Sequence, residues 1–162
     1  MFIFKKLTLA DVKINIILMK RFLFTLLLCC CYVVNAQIVT FNDAMFKFEI
    51  LDQAPSIDAN NNGEIEETEA QAYNGELYFD CDWFMISDLT GLEAFVNLSY
   101  LTINSCTNIT DLDVSANTGL LGFECNYTNI SSIDISNRVF TEPVAIVNNF
   151  NLTSVNISNA TM

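Results

Sequence analysis

The sequence predicts a mainly β solenoid of 21–22-residue coils with a small α-helical cap in front of it. Three observations carry that prediction. The second half repeats short alternating units at near-constant spacing. The segment before it joins a helix-forming apolar pattern to an oxygen-rich loop. The first 36 residues differ from both, being basic and apolar.

The N-terminus comes first. From Met19 the chain reads MKRFLFTLLLCCCYVVNA, with Lys20 and Arg21, an apolar run over residues 22–34, then Val34-Asn35-Ala36. A basic start, an apolar middle and small residues at a cleavage point form a secretory signal peptide. Residues 19–36 are therefore expected to be removed, leaving Gln37 first. The apolar run is too short to favour a membrane anchor. Leu26, Leu27 and Leu28 lack the small residue expected before a lipidated cysteine. Residues 1–18 read as an extension upstream of a better start at Met19.

Without residues 1–36 the chain keeps two basic residues, Lys47 and Arg138, against 18 acidic ones, a net charge of −16. Such a surface repels nucleic acid and anionic membranes, and favours cations or basic partners. Nucleic acid is excluded as a partner, and no transmembrane span is expected after signal removal. Three cysteines remain, Cys81, Cys106 and Cys125, an odd number without zinc-ligand spacing. They read as single small hydrophobes in the core.

Residues 37–75 are expected to form a helix-loop-helix cap. In FNDAMFKFEIL, Phe41, Met45, Phe48 and Leu51 are spaced for one helical face. The segment EIEETEAQAY is rich in helix formers before Gly75. Between them, DANNNGEIEETE fits the EF-hand calcium-loop pattern at every constrained position. Asp58, Asn60 and Asn62 alternate oxygen-bearing side chains, Gly63 allows the sharp turn, and Glu69 stands twelfth. A hard cation takes six to eight oxygens. Here the Glu64 carbonyl would fill the seventh place and Glu66 the ninth, directly or through water. Glu69 would close the site with both oxygens, while Ile65 points inward. Ca2+ is the expected cofactor, held by Asp58, Asn60, Asn62, Glu64, Glu66 and Glu69. With asparagines at two positions and a single loop, affinity is expected on the order of 10⁻⁴ to 10⁻³ M, as in extracellular modules.

Residues 76–162 carry the repeat. LTIN starts at Leu101, LDVS at Leu112, FECN at Phe123, IDIS at Ile133, AIVN at Ala145 and VNIS at Val155. Alternate units recur every 21 to 22 residues, with Asn, Ser, Thr and Gly between them as turn formers. Each unit points two apolar residues inward. No coil can bury its face alone, so neighbours must stack. A sandwich spaces strands similarly, but the near-identical units and regular turn asparagines favour a solenoid. Arg138 to Phe150, with Pro143, departs from the pattern and predicts an irregular coil. The pattern still runs at Ile157, with no capping element before Met162, which reads as a truncated solenoid.

Residues 89–136 resemble the leucine-rich repeats of secreted and surface proteins of Bacteroidetes bacteria. LDVSANTGL (112–120) and FECNYTNI (123–130) match that family's repeat closely, and ISDLTGLEAFVNL (86–98) resembles a first repeat. The acidic segment around residue 58 resembles one commonly found before such repeats. The resemblance implies a secreted or cell-surface, leucine-rich-repeat-like protein with an EF-hand-like cap.

Catalysis is poorly supplied. Residues 37–162 hold no histidine, one lysine and one arginine, so neither a His-based nucleophile nor a phosphate clamp can be built. No enzymatic activity is expected. Asp80, Asp82 and Asp88 around Trp83 suggest paired-carboxylate glycoside chemistry, but read better as an acidic loop over one aromatic. Trp83 and Phe84 could form a small sugar-stacking or protein-contact patch. Seven Asn-x-Ser/Thr triplets, at Asn97, Asn108, Asn126, Asn129, Asn151, Asn156 and Asn159, read as turn chemistry. The expected function is binding of a protein or glycan by a solenoid face. An accessory carbohydrate-binding module and a purely structural spacer are the alternatives.

Overall fold

The computed structural model describes residues 19–20, 37–82 and 85–162. Two compact units divide the chain, Met1–Asn35 and Ala36–Met162. In the first, Met19 and Lys20 are helical and exposed. The signal peptide expected at 19–36, the extension at 1–18, and the Trp83 and Phe84 patch otherwise lie outside the described residues. No described helix is long and apolar enough to cross a membrane.

The second unit is a β solenoid. Strands β1 (Glu76–Asp80), β2 (Tyr100–Asn104), β3 (Gly122–Asn126) and β5 (Val144–Val147) form one parallel sheet in that order, while β4 (Ser132–Asp134) pairs in parallel with β6 (Ser154–Asn156). Leu77, Leu101, Phe123 and Val144 align across the first sheet, as do Phe79, Ile103, Cys125 and Ile146. These columns point inward. On β1 to β3 they are at most 2 % exposed. Complete burial of a side chain such as Leu101 or Phe123 stabilises by about 1.5–3 kcal/mol.

The turns repeat as regularly as the strands. Ser105, Tyr127 and Asn148, each just past a strand of the first sheet, adopt positive φ of 54–57°. Asn137 and Asn159 do so on the other side. Asparagine tolerates this left-handed conformation better than most residues. Side chains then tie equivalent turns 22 residues apart. Asn159 donates to Asn137 at 3.0 Å and Asn156 to Asp134 at 2.9 Å.

Just past the strands, side chains also link adjoining coils, in two different ways. Cys81 and Cys106 form a disulfide, contrary to their reading as single hydrophobes. One coil later Thr128 is buried and accepts or donates with Cys125 Sγ. After it, Asn149 Oδ1 accepts from both the main-chain N–H and the hydroxyl of Thr128, at 2.8 Å each. Cys125 alone fits the hydrophobic reading, being free and buried, with its thiol pKa pushed up by burial.

Four details correct the sequence expectation. Leu112 and Val114 are buried, yet their unit forms no strand. The unit assigned to Ala145 begins at Val144, because the Pro143 carbonyl accepts from Phe123 N at 3.0 Å and sets the register. That coil is regular; proline lies just before the strand, where it costs no ladder bond. Finally, Glu76–Asp80 supplies a strand that the repeat pattern did not reveal.

The cap consists of α1 (Ala44–Gln53), a 3-10 turn at Pro55–Ile57, the loop, and α2 (Glu67–Ala72). Asp43 caps α1 by accepting from Met45 and Phe46 main-chain N–H groups. The buried face carries Phe46 and Ile50; of the expected Phe41, Met45, Phe48 and Leu51, Phe41 and Leu51 are half-buried against the core, while Met45 and Phe48 are exposed. Phe46 packs on Phe79 with ring centroids 5.0 Å apart. Gln53 Oε1 accepts from Tyr78 N at 2.8 Å, so the helix satisfies a donor on the open edge of β1.

Candidate cation loop and sheet face

Local hydrogen bonds wind residues 58–69 into a tight curl. Asp58 Oδ1 accepts from Asn62 N at 3.0 Å, and its Oδ2 accepts from Gly63 N at 2.8 Å. Asn60 Oδ1 accepts from Asn62 N, and Asn62 Oδ1 from Glu64 N. Such side-chain-to-main-chain bonds are the reason Asp and Asn favour turns. Gly63, at φ 80°, takes the sharp bend that a side chain would strain.

The curl brings Asn60 and Asn62 onto Glu66, whose carboxylate accepts from both amides at 3.0 and 2.8 Å. Glu66 is 4 % exposed, and the hydrogen bond with the Glu69 carboxyl, then those from Asn62 and Asn60, hold its pKa below the usual range. Glu69 Oε2 accepts from Glu66 N and its Oε1 from Ala59 N, so position twelve bridges both ends of the loop. Thus Asp58, Asn60, Asn62, Glu66 and Glu69 form one connected network. The Glu64 side chain leaves it, pairing with Lys47 Nζ at 2.7 Å. Only its main chain was expected at the site.

Ile65 is fully buried, as expected. Its carbonyl accepts from Val39 N at 2.8 Å, and Glu67 N donates to Gln37 O at 2.8 Å. Residues 37–39 thus brace the loop from outside, a support the single loop in the sequence did not suggest. The donor set consists of hard oxygens and suits calcium rather than a softer metal. Among the described residues, however, no three ligating acidic or sulfur side chains stand in metal-holding proximity. The loop's carboxylates and amides satisfy one another, and a cation would have to replace those bonds.

The second candidate surface is the outer face of the four-stranded sheet. Its rows run Glu76–Tyr100–Gly122, Tyr78–Thr102–Glu124–Ala145, and Asp80–Asn104–Asn126–Val147. Tyr78 Oη donates to Asp80 at 3.0 Å, and Tyr100 Oη to Glu124 at 3.1 Å. Burial, followed by the Glu124 hydrogen bond and the Glu124, Glu142 and Glu76 charges, pushes the Tyr100 pKa up to about 12. No basic residue occupies any of these positions.

Of the carboxylates considered for glycoside chemistry, Asp88 and Asp80 have structural partners. Asp88 accepts from Thr90 N at 2.7 Å and from Asn42 at 3.1 Å, joining cap to first coil. Asp80 accepts from Tyr78 and from Asp82 N. No protein-family model matches the chain, and no curated protein matches it either.

Proposed function

We propose that this is a secreted or cell-surface binding protein, whose leucine-rich-repeat-like solenoid meets a protein or glycan and whose EF-hand-like cap holds a structural calcium ion. The observation that carries the reading is the outer sheet face, where tyrosines, carboxylates and amides lie in three registered rows with no basic residue. Regular strands hold such side chains at fixed spacing, which limits the ordering cost of binding. The Cys81–Cys106 disulfide suits an oxidising compartment outside the cytosol. No catalytic role enters this reading.

Calcium would be held by Asp58, Asn60, Asn62, the Glu64 carbonyl, Glu66 and Glu69, and would stiffen the join between cap and first coil. The unit Ala36–Met162, which carries its own core, permits the test. At a free calcium concentration about ten times the dissociation constant, linkage gives roughly 1.4 kcal/mol of stabilisation. A rise in Tm over chelator is expected, lost in Asp58→Ala and Glu69→Ala. Both variants should also lower the chelated Tm, because both side chains anchor the loop. The calcium-dependent difference is therefore the decisive reading, and its absence in the wild type removes the ion.

The binding role is tested with arrays of glycans and of extracellular proteins, comparing wild type with Thr102→Lys on the sheet face and Asp111→Asn away from it. Ligands lost only in Thr102→Lys support the reading. No ligand dependent on this face would reduce the solenoid to a spacer.

A further inference from the structure

The outer sheet face has one place where an aromatic ring and free carboxylates meet in a concavity. Gly122 lies opposite Tyr100 in the parallel register, and the Tyr100 ring occupies the space a side chain there would need. A Cβ on Gly122 would stand 2.2 Å from Tyr100 Cε2 and 2.6 Å from Glu142 Cβ. The missing side chain therefore lets the ring cross onto the neighbouring strand. Its hydroxyl is fixed there by Glu124 and by the Pro143 carbonyl at 3.3 Å. The result is a notch of about 360 Å³ lined by Glu76, Ser99, Tyr100, Leu121, Glu142 and Pro143.

The hydrogen bonding is uneven across this notch. Glu124 is engaged by the Tyr100 hydroxyl. Among the described residues no side-chain hydrogen bond or ion pair engages the carboxylates of Glu76 or Glu142. Carboxylates beside an aromatic ring can also accept from sugar hydroxyls, but two unspent negative charges on a face without a basic residue favour a cationic side chain. Arginine can meet a carboxylate through two parallel N–H bonds and lay its plane on a ring. Lysine can meet the same groups as a point charge. A sulfate, phosphate or acidic glycan would be repelled.

We infer that this notch docks an arginine or lysine side chain of a partner protein, with Tyr100 as its aromatic wall and Glu76 and Glu142 as its charge partners. The inference rests on the binding reading above and names the partner class for that face. A neutral glycan is the outcome it excludes.

The test is a ¹⁵N-correlated NMR titration of the unit Ala36–Met162 with N-acetyl-arginine amide and N-acetyl-lysine amide at physiological salt. N-acetyl-citrulline amide serves as the neutral, near-isosteric control. Saturable shifts should concentrate on Tyr100, Leu121 and Glu142 with the cationic probes and be absent with citrulline. Glu142→Gln and Tyr100→Leu should each weaken binding about two- to fivefold. Asp111→Asn, which removes equal charge elsewhere, should leave it unchanged. Tyr100→Phe keeps the ring and should bind within about twofold, guarding against a folding artefact in Tyr100→Leu. Shifts spread over the acidic surface, equal weakening in Asp111→Asn, or equal citrulline binding would each overturn the notch. None of those outcomes touches the binding reading, which the arrays judge separately.

Discussion

The two flanks of the solenoid use the same kind of alternating unit, yet only one becomes a continuous sheet. On the first flank β1, β2, β3 and β5 pair without interruption. On the second, β4 pairs with β6, and the Leu112 unit beside β4 makes no ladder. Its apolar residues are buried all the same. The turn bonds do not make the difference: Asp113 accepts from Ser115 N at 2.7 Å, but Asp134 and Asn156, on the paired strands, accept from Ser136 N at 2.9 Å and Ser158 N at 3.1 Å in the same way. What sets the Leu112 unit apart is Arg138, which donates to the carbonyls of Val114 and Asn117. A side chain there provides bonds that a strand neighbour provides elsewhere. Inward alternation fixes which residues are buried; it does not decide whether the backbone forms a ladder.

The sharpest contrast should appear in core truncations. Phe123→Ala, in the middle of the continuous flank, empties a fully buried site and should cost about 3–5 kcal/mol. Val155→Ala, on a β6 residue that is 43 % exposed, should stay within about 0.5 kcal/mol. Urea unfolding of both variants measures the difference. Comparable losses would mean that the second flank packs as tightly as the first.

A second contrast runs along the solenoid instead of across it. The disulfide closes a 25-residue separation between the first two coils, and the chain-entropy account assigns such a link about 3.5 kcal/mol. Cys81→Ser with Cys106→Ser should therefore lower the unfolding midpoint substantially. Asn149→Ala, which leaves the Thr128 donors unpartnered one coil later, should cost about 1–3 kcal/mol. If the double serine variant lost no more than Asn149→Ala, the covalent link would be dispensable.

The solenoid was legible because period and burial come from the same cause, the stacking of coils. The register of the last coil on the first flank was legible too, in a signal the Ala145 assignment overrode. Starting that unit at Val144 evens its separation from Ile133 to match the others, and Pro143 marks its boundary. Strand β1 escaped because Leu77 precedes Leu101 by 24 residues rather than 21 or 22. The disulfide escaped because the odd cysteine count argued against pairing, while the adjacency of Cys81 and Cys106 exists only in three dimensions. In the cap, the loop positions could be read, since each oxygen acts on its own neighbours. The buried face of α1 could not. A ten-residue helix with apolar residues on several sides takes its face from whatever it packs against, here Phe79.

Arg138 offers a smaller and more local test of the second flank. Arg138→Gln should cost about 1–3 kcal/mol if its guanidinium is the main partner of the Val114 and Asn117 carbonyls. Hydrogen exchange should rise first around residues 112–118, leaving β2 and β3 protected. Uniform loss of protection would show that the flanks unfold as one unit.

The smallest effect concerns pH. The pKa of Asp113 is lowered by the hydroxyl and main-chain N–H of Ser115, and that of Asp134 by those of Ser136 and then by Asn156. Both folded values lie below the ordinary 3.8, so their contribution is complete above 3.8 and is lost as pH falls below it. Acid also relieves the repulsion of an overall acidic chain, which acts in the opposite direction. The comparison must therefore be between variants at each pH. Asp113→Asn with Asp134→Asn keeps an acceptor for each turn, as Asn156 already does, but cannot titrate there. Its urea midpoint should fall less steeply than that of the wild type below 3.8 and run parallel to it above. The same flattening in Asp111→Asn would assign the dependence to overall charge and separate it from the turns of the second flank.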